Sequence, residues 1–415
     1  MEIETIPLIE RLGSHSHITG LGENNGEVEY NKDGVVSQIK ARKALLHIKK
    51  LVQENSSGKI VILRGPSGSG KTALALGLSK SLEGHIFNSI NAAEIHSLSM
   101  SKAEALQQAI RKSVGVSIKE TIRIIEGEVV ALSTSKISLR TVDMESTFEI
   151  GSNMKEQIDK EKVCVGDIIR IIKERGKIIK LGVGSSKNDP QLLGDIKFLP
   201  CPEGELFKVE EEIQSVSLHD LDAINNKTLG YLSLFSGDTN EISSDVRDEV
   251  NDKVKKWILE GKVELKRGVL FIDEAHMLNI EGFAFLNKVL GDAYTPTIIL
   301  ATNKKEATSS RSPFGIPKDF IERCLIVPTE SYSEEDLRNI LTNRINKEEV
   351  KLEEAALRVL VDICVSSGLR YAFNVISLCE IRRIKSRKQK VEERDIKRVC
   401  ELFLDEKGIR NLLKY

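Results

Sequence analysis

The chain has 415 residues, in which 61 Lys and Arg face 62 Asp and Glu for a net charge of −1, and 40% of positions are hydrophobic. That length suggests two to three domains of roughly 150 residues, and that apolar share excludes a disordered chain. The balanced charge argues against a uniformly basic coat for nucleic acid. No apolar run approaches the roughly 20 residues that span a bilayer, and the opening MEIETIPLIE lacks the basic and apolar regions of a signal peptide, so no membrane role is expected. The six cysteines, Cys164, Cys201, Cys324, Cys364, Cys379 and Cys400, have no CxxC spacing. This speaks against a disulfide framework or zinc site and for a reducing compartment, cytosolic or nuclear.

The first strong pattern in chain order is the β-branched run Gly58–Arg64, followed by a glycine-rich turn and the helical stretch Ala73–Leu78. Strand, glycine loop and helix in that order predict an α/β nucleotide fold. The turn, Gly65-Pro66-Ser67-Gly68-Ser69-Gly70-Lys71-Thr72, fits G-x-x-x-x-G-K-[ST] in full. Its backbone N–H groups can curl around phosphates, Lys71 can meet the β and γ oxygens, and the Thr72 hydroxyl can ligate Mg²⁺.

From Lys119 to Val216 the texture changes to short alternating segments, the clearest being Asp167–Lys173 and Lys177–Leu181 around a glycine turn. They predict an inserted all-β barrel or sandwich whose ends lie close together, since an insertion must leave and re-enter one core. The 202 residues from Lys71 to Asp273 support an insertion as well. Between Arg170 and Lys187 six basic residues meet one acid, Glu174, which suggests a phosphate-tracking strip. Against it, the whole segment carries 15 basic and 18 acidic residues, and Phe148, Phe198 and Phe207 are its only aromatics.

Beyond the insertion, Gly268–Ile272 and Thr297–Ala301 are apolar without alternation, as in parallel strands covered on both faces, and are expected beside the first strand. The former ends in Asp273-Glu274: Asp273 is the candidate Mg²⁺ ligand and Glu274 the group that polarises the attacking water. Asp273-Glu-Ala-His276 also spells the DEAH signature of a helicase class, but only 139 residues follow His276, too few for a second motor domain. Asn303 ends the third run as a polar tip. Arg323 and Arg370, read as helical arginines, are candidates for neutralising charge on the transferring phosphoryl. From about Thr329 the pattern is helical, with Ser333-Glu-Glu-Asp336 as an N-cap signal before Leu337, Ile340, Leu341 and Ile345.

This spacing resembles the AAA+ ATPases, and Arg11-Leu-Gly-Ser-His15-Ser-His17-Ile-Thr-Gly-Leu-Gly22 is similar to the RuvB-like family. Ile124–Val129, Val216–Asp222 and Leu234–Thr239 look like the second of that family's two paralogues. The resemblance implies an α/β AAA+ P-loop NTPase core with an inserted all-β OB-like domain and a C-terminal helical lid. The expected boundaries are 1–118 and 217–328 for the core, 119–216 for the insertion and 329–415 for the lid. It further implies that His15 and His17 line the adenine pocket with Tyr332, Ile340 and Leu369, that Asn303 is sensor 1 and Arg370 sensor 2, and that Arg323 is a finger reaching the neighbouring subunit. ATP or ADP and Mg²⁺ are the implied ligands. A ring of six, alone or with the sister paralogue pontin and as a single or double ring, is the implied assembly. Chromatin-remodelling and co-chaperone subunits are the implied partners, and a nucleus with a cytoplasmic pool the implied location.

Four positions depart from the family pattern: Ser37 stands for a glycine, Asn279 for an Asp, Gly368 for a Ser or Thr, and the loop Lys304–Ser312 is short. Two other functions compete with an ATP-hydrolysing ring subunit: a DNA helicase or branch-migration motor binding nucleic acid through the insertion, and an assembly scaffold with very slow turnover.

Overall fold

The computed structural model describes residues 15 and 17–403, apart from 25, 56–57, 98–99, 134–135, 162, 174–175, 185–197, 203, 229–240, 305–315, 349 and 387. Leu234–Thr239 and nearly all of the Lys304–Ser312 loop therefore fall outside the described residues. The chain forms two compact units, one of Ser117–Ser215 with Val254–Glu264 and one of the remainder. The sequence reading kept 217–328 whole in the core, whereas Val254–Glu264 groups with the insertion, where Lys119 N donates to Lys262 O at 2.9 Å.

In chain order the elements of the two units include α1 (Ile39–Gln53), β1 (Ile60–Arg64), α2 (Lys71–Ser81), β2 (Phe87–Asn91), α3 (Lys102–Lys112), β3 (Val114–Leu132), β4 (Lys136–Arg140), β5 (Glu145–Glu149), α4 (Ser152–Lys160), β6 (Asp167–Ile172), β7 (Lys177–Gly184) and β8 (Phe207–Ser217). There follow β9 (Val269–Asp273), α5 (Ile280–Val289), β10 (Thr297–Thr302), β11 (Cys324–Pro328), α6 (Glu334–Lys347), α7 (Glu354–Ser367), α8 (Leu369–Lys385) and α9 (Glu393–Leu402).

The larger unit is organised on a parallel sheet in the order β11-β1-β10-β9-β2. Successive side chains of a strand point to opposite faces, and the sheet has a core on each. Val61, Leu63, Phe271 and Ile299 pack with α1 and α2 on one face, while Ile60, Ile62, Leu270, Ile272 and Ile298 pack with α3 and α5 on the other. The run at Val269 does not neighbour β1 as expected, because β10 lies between them, pairing Ile298 with Ile60 and with Leu270. An unbroken apolar run reports burial on both faces and says nothing of which strand lies alongside.

Near the insertion a buried ion pair joins α3 to the returning chain, Arg111 Nη2 donating to Asp222 Oδ1 at 2.6 Å. The lid helices α6 to α9 share a core that includes Leu341, Leu360, Val375, Ile376 and Ile396. Helix α6 begins with the expected Ser333–Asp336 capping box. Before α8, Gly368 has φ +95°, a conformation that Ser or Thr rarely adopts, so the departure there suits the backbone. Asn279 keeps the cap that an Asp would supply, accepting from Gly282 N at 3.1 Å.

The smaller unit is dominated by an antiparallel sheet. The long β3 pairs with β4, β6 and β8, and β6 with β7. Its core holds Ile125, Val129, Ile137, Leu139, Ile169, Ile171 and Leu206. The strands match the alternating segments of the sequence, but α4 adds a helix that the all-β reading lacked. The ends of the insertion lie side by side, with Ser117 Oγ 3.3 Å from Ser215 Oγ.

Candidate nucleotide site

Strand β1 delivers the glycine-rich loop, β9 delivers Asp273 and Glu274, and β10 delivers Asn303, all at the carboxyl ends of parallel strands. That edge is where open α/β sheets place their ligands. A cavity of about 470 Å³ opens there. Ser67, Gly68, Gly70, Lys71 and Thr72 line it on the loop side, with Asp273, Glu274 and Asn303 opposite. Its far wall is made of His15, His17, Ile18, Val35 and Val36 together with Tyr332, Ile340, Leu369, Arg370 and Phe373 of the lid segment.

The polar groups are held by short local contacts. Lys71 Nζ donates to Gly65 O at 3.0 Å and Pro66 O at 2.8 Å, so its ammonium sits at the mouth of the loop. Burial pulls its pKa down, opposed by the nearby Asp273 and Glu274 carboxylates. Thr72 Oγ1 donates to Asp273 Oδ2 at 2.8 Å. Glu274 adopts φ +50°, a left-handed conformation that ends β9 and leads into the turn Ala275–Met277. Asn303 Nδ2 donates to Glu274 Oε1 at 3.5 Å, and His276 Nδ1 lies 3.3 Å from Glu274 Oε2. Burial lowers the pKa of His276, so a neutral imidazole faces that carboxylate near neutral pH.

On the far wall, burial is also the largest cause holding His17 down to about 4, with Arg344 and His15 adding to it. His17 Nδ1 is buried and has no hydrogen-bond partner among the described residues, so a polar atom without a partner lies at the cavity's far wall. Tyr332 is pushed up to about 12 by burial and remains a phenol. The Mg²⁺ reading also fits: Thr72 and Asp273 juxtapose two hard oxygen donors, and no cluster of three or more His, Cys, Asp or Glu among the described residues offers a full protein cage. This is the usual pattern for an ion completed by phosphates and water.

Of the residues singled out in the sequence, only Arg323, Pro66, Gly65 and Ser69 do not line the cavity. The last three belong to the loop itself. Arg323 is not helical as expected but lies in the turn between Ile321 and β11, because the short helix Lys318–Ile321 is cut off when the chain re-enters the sheet at Cys324. It is exposed and makes no salt bridge among the described residues. Sequence reasoning missed Phe373, whose ring meets His17 edge-on at 6.2 Å. Its signal was present, since it lies four residues after Leu369 on the same helical face. It also missed Arg42, fully buried on α1, whose guanidinium donates to the carbonyls of Leu21, Tyr30 and Ser37 and so shapes the segment carrying Val35 and Val36. Ser37 has φ +58°, which explains a glycine preference at that position.

A glycine loop between a buried strand and a helix, an acid pair at the end of another strand of the same sheet and helices of the lid on the far wall together define a P-loop ATPase of the AAA+ class. The family model described as the TIP49 P-loop domain matches residues 11–335, and that of the TIP49 AAA-lid domain matches residues 340–405. Over 410 residues the chain is 53% identical to a RuvB-like helicase 2 of Encephalitozoon cuniculi (strain GB-M1), with 98% of each chain covered. The chain belongs to the TIP49 family of RuvB-like AAA+ ATPases.

Proposed function

We propose that the cavity hydrolyses ATP with the following division of labour, and that it does so as one subunit of a ring. Lys71 and the loop N–H groups hold the phosphates, and the wall of His15, His17, Tyr332, Ile340, Leu369 and Phe373 holds the base. Thr72 and Asp273 would hold Mg²⁺, which supplies charge neutralisation to the phosphates. Glu274, oriented by Asn303, aligns and polarises the attacking water, and Arg370 faces the transferring phosphoryl from the lid. The observation that carries this reading is the convergence of Lys71, Asp273, Glu274 and Arg370 on one cavity from three separate elements, α2, the end of β9 and α8. Replacing Glu274 by Gln is expected to retain ATP and to lower turnover by roughly 10² to 10⁴, the usual worth of a positioned acid–base group. Lys71→Ala is expected to lose binding and turnover together. Hydrolysis by Glu274→Gln at the unmodified rate defeats the assignment.

Arg323 is proposed as a finger acting on the next subunit. Its exposure, its position outside the cavity and its lack of a salt bridge among the described residues support this. The proposed settings are nuclear chromatin-remodelling and co-chaperone assemblies, with a cytoplasmic pool and with pontin as ring partner. Support comes from the family resemblance and, for the second paralogue, from the name of the relative. A helicase-type action on DNA through the insertion is the second reading, favoured by that same name. The charge pairing of the insertion disfavours a phosphate strip: Arg170 sits 3.6 Å from Glu126 and 3.5 Å from Glu210, and Lys180 2.7 Å from Asp167.

A further inference from the structure

The P-loop of this chain is braced from behind by a residue outside it. Thr329 directly follows β11 and is the first residue of the segment that leads into the lid; it is 5% exposed. Its N–H donates to Arg64 O at 2.7 Å, and its hydroxyl donates to the same carbonyl at 3.1 Å. The hydroxyl oxygen also lies 2.8 Å from Ser69 Oγ, which is 1% exposed. A threonine hydroxyl has one proton. With that proton directed to Arg64 O, Ser69 must be the donor to Thr329, giving a directed chain from Ser69 O–H to Thr329 Oγ1 to Arg64 O. The chain spans the loop from its last strand residue to the residue before Gly70.

Two of the loop's glycines reflect the same approach. Gly65 does not have a positive φ, yet a Cβ there would collide with the Thr329 hydroxyl and carbonyl. A Cβ at Gly70 would collide with the Tyr332 hydroxyl. The segment is itself fixed on its other side, where the Gln38 side chain donates to Glu330 O at 2.6 Å and accepts from Glu330 N at 3.1 Å. Ser69 therefore spends its hydroxyl on the brace, turned into the core, while its backbone N–H donates to Pro66 O at 3.3 Å within the loop, so the residue serves the loop's shape.

We propose that Thr329 is a positioning residue for phosphate binding: through Ser69 it sets the curvature of the P-loop before ATP arrives. The proposal rests on the nucleotide reading of the cavity. A brace of this kind acts on the pre-organisation of the loop, so its loss appears in KM more than in kcat. A plain core threonine would instead alter only stability.

The test uses the full chain with Thr329→Val, Thr329→Ser, Ser69→Ala and Lys71→Ala, measuring steady-state ATP hydrolysis, ATP binding and thermal unfolding without nucleotide. Removing the Thr329 hydroxyl, and with it the buried bonds to Ser69 and to Arg64 O, is expected to raise KM for ATP about tenfold in Thr329→Val, with kcat within about twofold. Thr329→Ser keeps the hydroxyl and is expected to restore KM to within about twofold. Ser69→Ala should raise KM as Thr329→Val does, and combining the two should add little, because one chain of hydrogen bonds is being cut twice. An unchanged KM in Thr329→Val, or an equal rise in Thr329→Ser, overturns the proposal. Should Thr329→Val not fold, Ser69→Ala decides alone, since it leaves the Thr329 bond to Arg64 intact, and an unchanged KM there overturns it. Lys71→Ala separates the two levels: if it binds ATP normally the nucleotide reading itself fails, whereas if it loses ATP while Thr329→Val does not change, only the brace fails.

Discussion

The nucleotide cavity and the sheet of the smaller unit are both rich in charged side chains, and they use them in opposite ways. In the cavity Lys71 meets carbonyl oxygens, Asp273 a hydroxyl, and Glu274 an amide and a neutral imidazole. In the smaller unit Arg170 meets Glu126 and Glu210, Lys180 meets Asp167 and Lys208 meets Glu126. Charges held by neutral partners keep their fields for a ligand, while charges already paired with opposite charges are spent on the scaffold. Counting basic residues along a segment cannot distinguish the two. The six basic residues between Arg170 and Lys187 were the strongest sign of nucleic-acid binding in the sequence, and the geometry neutralises two of them.

The largest test of this contrast concerns Arg323, an exposed cation with no salt bridge among the described residues. If its charge is kept for a neighbouring subunit, Arg323→Ala lowers turnover by about 10³ to 10⁵ while leaving thermal stability unchanged. Mixing Arg323→Ala with Lys71→Ala subunits should then restore part of the activity, because mixed rings contain interfaces with an intact loop and an intact arginine. No recovery in rings shown to be mixed breaks the assignment.

A second effect comes from the cavity's far wall. His17 is held at about 4 in the folded chain, against 6.5 when unfolded. Between those values the unfolded chain binds the proton and the folded chain does not, so stability falls as pH drops from about 6.5 toward 4 and is flat above. The ceiling is on the order of 3 kcal/mol. Urea unfolding at pH 7.5, 6 and 5 should show that slope, and His17→Gln should flatten it; equal slopes mean that His17 titrates normally.

The smallest effect is expected in the smaller unit. Arg170→Ala should cost no more than about 1 kcal/mol, as for partly exposed pairs, and leave ATP turnover within about twofold. The salt dependence of any single-stranded DNA binding should not change. A fall of about one in the slope of log affinity against log salt would show that Arg170 contacts phosphate, and the contrast drawn above would fail at that residue.

The phosphate end of the site was legible in the sequence because backbone geometry dictates it over eight consecutive residues. Asp273 and Glu274 were legible because an apolar strand ending in two acids is a local pattern. The far wall was not: His15 and His17 alone are an undistinguished polar turn, and they join the cavity only together with residues from 332 to 373. Only the family resemblance reached those assignments. The strands of the core were each visible as apolar runs, yet their order was not, since lateral neighbours leave no periodic trace. Thr329 and Arg42 left no trace either, because their roles consist of hydrogen bonds to main-chain atoms and buried hydroxyls far away in the chain.

The sheet that carries the P-loop pairs β1 with β10 and β11, so Ile60 must wait for Ile298, 238 positions later, before it has a lateral partner on that side. At ribosomal rates of about 5 to 20 residues per second, that is a delay of roughly 12 to 48 s. The pairings among β3, β4, β6 and β7, by contrast, close within a few tens of residues. During synthesis the insertion can therefore acquire its strand pairing while the apolar β1 is still without the strands that will cover its edges, and the nascent ATPase core passes through a long interval in which this buried strand is open to aggregation or to a chaperone.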